Sequence, residues 1–191
     1  FQKMSEVYGA EVSEDQALKI RNDWRDANPN IVKLWSDVER AAKNAVSYGT
    51  EFQAAKGFFK LVDGDLLFKT PSNRILSFPH AKIQPTDRGV ELVYEGMNNH
   101  IHKWSQIKAY GGSLVQSITQ AVARDVLAEA VLRLENANYP VVLHVHDEII
   151  ADVPNDHGSL AEFESLMCEL PVWAEGLPVT AKGYESHRYR K

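Results

Sequence analysis

Cysteine is almost missing from this sequence: Cys168 stands alone in 191 residues. A single thiol excludes an internal disulfide and a cysteine-rich zinc site, and it makes a reducing cytosol the default setting. Long apolar runs are missing as well. Nothing approaches the ~20 consecutive apolar residues of a membrane span, and no charged stretch followed by an apolar core marks a targeting peptide. Nor is positive charge in excess. Lys and Arg number 21 against 26 Asp and Glu, for a formal net charge of −5. That argues against a small protein held to DNA or membranes by bulk charge, while leaving room for an enzyme whose positive potential is confined to a cleft. What remains is an ordinary globular composition, 44% apolar and 25% charged, in a chain long enough to bury about 70% of its unfolded surface. The expectation is a soluble, cytoplasmic chain without a membrane partner.

The pattern along the chain predicts α+β. Phe1 to Tyr8 reads as the last turns of a helix closed by Gly9, which fits either a missing N-terminal tail or the C-terminal piece of a longer polypeptide. Ser13 with Gln16 forms a capping box, and Ala17, Ile20 and Trp24 follow at helical spacing. Asn28-Pro29 restarts a helix as an N-cap followed by Pro at the first position. Its apolar stripe of Ile31, Leu34, Trp35, Val38, Ala42 and Ala45 ends before Gly49. A β-rich stretch comes next. Phe58 to Val62 and Leu66 to Phe68 flank an Asp63-Gly64 turn, with further strands over Ile75 to Phe78 and Val90 to Tyr94.

A long helix is expected from about Ser113 to Asn136, with Leu114, Ile118, Val122 and Val126 in an apolar line. Gln116, Gln120 and Arg124 form a neighbouring polar line at the same four-residue step. Two strand-like runs, Val141 to Val145 and Ile149 to Val153, meet at His146-Asp147-Glu148. Ser159 with Glu162 caps a helix to about Leu170, and Leu177 to Tyr184 reads as a closing strand. The informative place is the turn. Burying charge costs several kcal/mol unless a cation or partner offsets it, so two adjacent carboxylates between apolar strands are hard to explain as packing. Facing a cleft, they are hard oxygen ligands suited to Mg²⁺; the plain alternative is an exposed hairpin tip with solvated charges.

Two runs decide between these. Tyr110-Gly-Gly-Ser-Leu-Val-Gln-Ser-Ile-Thr-Gln-Ala-Val-Ala-Arg-Asp-Val-Leu-Ala-Glu-Ala130 leads into Tyr139-Pro-Val-Val-Leu-His-Val-His-Asp-Glu148. Together they resemble the palm of family A DNA polymerases, the bacterial DNA polymerase I family, most closely its phage branch. Asn22 to Ile31 with Trp35 is similar to the last fingers helices. Thr70-Pro-Ser-Asn-Arg-Ile-Leu-Ser-Phe-Pro79 is similar to the family's Ser-Gly-Arg hairpin, with Asn73 where Gly is usual. Pro171 to Pro178 and Tyr184 to Lys191 resemble the phage-type C-terminus.

The resemblance implies a division into the end of the fingers over residues 1–50 and the C-terminal palm with its catalytic β-hairpin over 51–191. It implies template-directed transfer of nucleotides from dNTP to a primer 3′-OH. Asp147 would be catalytic and a metal ligand of a two-ion Mg²⁺ site, and Glu148 a supporting catalytic carboxylate. His146 would contact the primer end. Gln120 would reach the minor groove beside the new pair, where acceptors are shared by all base pairs. Gln116, where bacterial relatives carry Asn, is a less direct DNA contact, and Arg74 and Lys103 are candidate phosphate contacts. The family's first motif, with the second metal-binding Asp, and its nucleotide-gripping fingers helix are not found here. The resemblance therefore implies that an N-terminal portion completes the site as a partner, in the same polypeptide or a separate chain, and that this chain alone is inactive. Two alternatives stay open. One is an HD-type metal phosphohydrolase using His146-Asp147 with His144; the other is a non-catalytic remnant that only binds DNA or a partner.

Overall fold

A computed structural model describes residues 9, 12–87, 89–98 and 101–189, so the helical turns expected over Phe1–Tyr8 lie outside the described residues. The architecture is mixed α+β. By packing the chain divides into two compact units, one of residues up to 67 plus 77–115, the other of residues 68–76 plus 116–191.

In the first unit, α1 (Glu14–Ala27) carries the expected reciprocal cap: the Gln16 N–H donates to Ser13 Oγ and the Ser13 N–H to Gln16 Oε1. Helix α2 (Pro29–Tyr48) begins at Pro29 and closes at Gly49, whose φ of 66° is the left-handed conformation that suits glycine. Asn28 departs from expectation. It occupies the cap position of α2 without a side-chain capping bond, because its Nδ2 donates instead to the Trp24 carbonyl and satisfies the end of α1. The stripe on α2 is buried in its second half, at Val38, Ala42 and Ala45. In the first half, Ile31 and Leu34 are exposed, and Trp35 stacks on Trp24 with centroids 5.7 Å apart.

The strands form a four-stranded sheet in the order β1 (Phe52–Ala54), β2 (Gly57–Val62), β3 (Asp65–Lys69), β4 (Ile75–Phe78). Asp63 and Gly64 both have positive φ, 51° and 89°, the backbone a two-residue hairpin turn requires. A second, antiparallel sheet runs β5 (Lys82–Thr86), β6 (Gly89–Asn98), β7 (Lys103–Ala109). Strands β1, β5 and β7 exceed what the sequence pattern predicts. In β5 the reason is Pro85, which lacks a ladder donor and argues against a central strand; β5 is in fact an edge.

Helix α3 (Gly111–Asn136) starts two residues earlier than expected. Its buried row follows Leu114, Ile118 and Ala121, while Val122 and Val126 are half-buried. Four residues overshoot one turn by about 40°, so a strict four-residue line wanders off the buried face.

In the second unit, β8 (Val141–Val145) pairs with β9 (Glu148–Ala151), followed by α4 (Leu160–Cys168) and a 3₁₀ turn at Val172–Ala174. Tyr139 anchors this region. Its buried hydroxyl donates to Glu162 Oε2 at 2.7 Å and accepts the Ser159 N–H at 3.0 Å. A Cβ on Gly158, itself at φ 62°, would fall 1.8 Å from that hydroxyl oxygen. The closing strand expected over Leu177–Tyr184 is absent: the segment is irregular. Pro178 has no N–H to give a ladder. Neighbouring donors go to side chains instead, the Ala181 N–H to Cys168 Sγ and the Gly183 N–H to Glu164 Oε1.

Candidate functional site

The hairpin that carries the paired carboxylates is closed by two residues. Val145 pairs with Glu148, leaving His146 and Asp147 as the loop, and Glu148 belongs to β9 rather than to the turn. Residue His146 adopts φ 55°. A two-residue loop demands positive φ at its first central position, which glycine or asparagine usually supplies. A histidine there costs on the order of 1 kcal/mol. The chain thus accepts a mildly strained backbone to present an imidazole and a carboxylate together at a turn.

Asp147 is exposed and has no hydrogen bond or ion pair among the described residues. Its neighbour is engaged: Tyr189 Oη donates to Glu148 Oε2 at 3.1 Å. Partial burial, joined by that bond and the carboxylate charge, pushes the Tyr189 phenol above its ordinary value. An unpaired, exposed aspartate is a fitting hard-oxygen ligand for Mg²⁺. Among the described residues, however, no group of three His, Cys, Asp or Glu side chains is gathered to hold a metal ion. The donor set therefore fits one ligand position, with Glu148 adjacent, and not a whole cation cage.

Helix α3 presents Gln116, Gln120 and Arg124 as an exposed line. Neither glutamine has a protein partner among the described residues, so both amides are available to an outside ligand. Arg124 reaches the hairpin, its Nη2 lying 3.3 Å from His144 Nε2. That contact takes up one ring nitrogen of the histidine on which an HD-type metal site would depend.

Arg74 is the sequence candidate whose setting differs most from a free cation. Its Nε sits 2.8 Å from Asp125 Oδ1, and its Nη2 donates to the Ala121 carbonyl. Ser72 Oγ donates to the other oxygen of Asp125, and Thr70 is buried at the base of the same turn. The turn is closed by the Asn73 N–H on the Thr70 carbonyl and the Thr70 N–H on the Arg74 carbonyl. Asn73 has φ 71°, a left-handed backbone that asparagine tolerates. Arg74 is thereby pinned to α3, with its side chain 40% exposed. Sequence reasoning does not identify Asp125 as its partner. The signal was an acid continuing the Leu114–Ile118–Ala121 buried row, where charge requires a partner. Lys103, on β7, is exposed.

Fold and site together define an α+β chain that offers, among the described residues, an unpaired aspartate at a hairpin turn and an uncommitted row of amide donors along a long helix. In sequence, the chain is 41% identical over 183 residues, 94% of its length, to a DNA polymerase of Bacillus phage SP02. It spans 28% of that relative's length. No family model and no solved structure matches the chain.

Proposed function

We propose that this chain is part of a template-directed DNA polymerase of the DNA polymerase I type, family A, phage branch, contributing the end of the fingers over residues 1–50 and the C-terminal palm over 51–191. The observation that carries the proposal is Asp147: an exposed carboxylate, unpartnered among the described residues, at a strained two-residue turn, in a chain similar over 94% of its length to a phage DNA polymerase. Asp147 would hold a divalent cation, and Glu148, steadied by Tyr189, would add negative charge beside it. Mg²⁺ bound there would stabilise the charge that develops as the primer 3′-oxygen displaces pyrophosphate from dNTP. A two-ion site needs a carboxylate beyond these two, so an N-terminal portion carrying one, and gripping the nucleotide, is part of the proposal. Gln120 and Gln116 donate to primer-template DNA, His146 orients the primer end, and Arg74 supports the same surface from its position against α3.

The test is primer extension by the full protein in Mg²⁺. Asp147→Ala should lower the rate of nucleotide addition roughly a thousandfold, or about 4 kcal/mol of transition-state stabilisation. DNA affinity should change far less. Near-normal incorporation by the variant would overturn the assignment. The phosphohydrolase alternative gains no support from the geometry, since His144 is engaged by Arg124.

A further inference from the structure

Arg124 and His144 form an exposed pair with no counter-ion among the described residues. A guanidinium can only donate, so in the 3.3 Å contact Arg124 Nη2 donates to His144 Nε2 and the imidazole carries its own proton on Nδ1. Neither side chain has a carboxylate partner among the described residues. The acids nearest in sequence are elsewhere: Asp125 is taken by Arg74 and Ser72. Glu148 lies opposite Val145 on the other face of the hairpin and is taken by Tyr189. The cross-strand partner of His144 is Ile149. In a chain carrying a net charge of −5, an exposed arginine held in place by an imidazole nitrogen that accepts from it, with no carboxylate partner among the described residues, is a preorganised anion site.

We infer that Arg124, oriented by His144, binds a backbone phosphate of the DNA that Gln116 and Gln120 contact. The inference rests on the proposed function and extends it to residues it leaves unassigned. An extended ligand is indicated because Arg124 ends a line of neutral donors. From Gln116 to Arg124 the helix rises about 12 Å, the length of three to four stacked nucleotides of one strand. Gln116 and Gln120 supply uncharged contacts along that length, and Arg124 supplies the charge at its end. His144 is a positioning residue: its Nε2 holds the Arg124 guanidinium in place.

The experiment is equilibrium binding of the full protein to a primer-template duplex over a range of salt concentrations, with Lys60→Gln as a control for loss of one exposed charge elsewhere. Arg124→Gln should weaken binding about tenfold at low salt and reduce the slope of log K against log salt by about 1, the value for one released phosphate contact. Arg124→Lys should restore the slope but only part of the affinity, since an ammonium lacks the planar fork. His144→Gln should weaken binding at unchanged slope, and Lys60→Gln should match the wild type. If wild-type protein binds DNA and Arg124→Gln binds with the same affinity and slope, the phosphate site is refuted while the polymerase proposal stands. If Arg124→Gln alters only the concentration of dNTP needed for synthesis, the anion is the nucleotide's and the assignment to DNA backbone fails. Absence of any primer-template binding by the wild-type protein would overturn the function and the site together.

Discussion

Replacing Gly111 by alanine provides a sharp test of how the long helix is seated, because two opposite expectations meet there. Glycine-to-alanine changes in a helix ordinarily stabilise by about 0.5–1 kcal/mol, through backbone entropy. At Gly111, however, the new Cβ would lie 2.1 Å from the Trp35 carbonyl oxygen, 2.6 Å from its carbon and 3.0 Å from its Cα. These atoms are backbone of α2 and cannot rotate away. The same residue's N–H donates to Glu39 Oε2 at 2.9 Å, so any shift that relieves the clash also stretches a charge-assisted bond. Overpacking costs about 1–3 kcal/mol and loss of such a bond about 1.5–3; after the entropic gain, Gly111→Ala should lose roughly 2–4 kcal/mol. At about 2–4 °C per kcal/mol, Tm should fall by roughly 5–15 °C. Gly112→Ala is the control. Its Cβ would meet Tyr110 Cε2 at 2.9 Å, but that ring belongs to a residue 63% exposed and free to swing, so stability should stay within about 1 kcal/mol of wild type. Denaturant and thermal unfolding of both variants decide the matter. If Gly111→Ala equals or exceeds the wild type, or matches Gly112→Ala, the close seating of the helix on Trp35 is wrong.

Glu39 gives a pH prediction from the same junction. Burial pushes its carboxyl upward, but the hydrogen bond from Lys43 and the Gly111 N–H outweigh burial and hold it below its ordinary 4.5. A depressed carboxyl contributes stability that is present above the ordinary value and lost as pH falls through the folded one. Wild type should therefore lose its advantage over Glu39→Gln in urea unfolding as the pH falls below the ordinary 4.5; a difference that stays constant through that fall would contradict it. Gln120→Ala should weaken primer extension and mismatch discrimination by about 1–3 kcal/mol, one hydrogen bond's worth. Its Mg²⁺ requirement should match the wild type, and a shifted metal requirement with normal mismatch extension would remove Gln120 from the DNA.

Much of the fold is legible locally. The capping box at Ser13, the Asp63-Gly64 hairpin, the long helix and the His146-Asp147 turn each depend on residues a few positions apart, and all four form, the helix beginning two residues early and the turn releasing Glu148 to a strand. Failures fall where the deciding partner is remote or the rule is ambiguous. Asn28 has two helix ends within reach, and it satisfies the preceding carbonyl rather than the following amides. Leu177 to Tyr184 alternates suitably for a strand, but Pro178 and the side-chain acceptors of α4 withdraw its donors from any ladder. A pattern of side chains cannot report where the backbone hydrogen bonds go.

The candidate site divides along the same line. Asp147, Gln116 and Gln120 are named from the turn, the polar line of the helix and the resemblance that these runs carry, and each side chain is without a protein partner among the described residues. Arg74 and Arg124 are both exposed arginines to a reader of the sequence, yet they are opposites in the structure. Arg74 neutralises Asp125, a carboxylate with a side chain only 12% exposed, so removing Arg74 leaves a nearly buried charge unpaired, a loss that breaks packing before it touches any ligand. Arg124 leans on the His144 imidazole, and its removal leaves no carboxylate without its partner among the described residues. Of the two, Arg124 is therefore the arginine whose substitution reports on binding rather than folding. The difference rests entirely on a partner 51 residues away in one case and 20 in the other, separations at which periodicity along the chain carries no information.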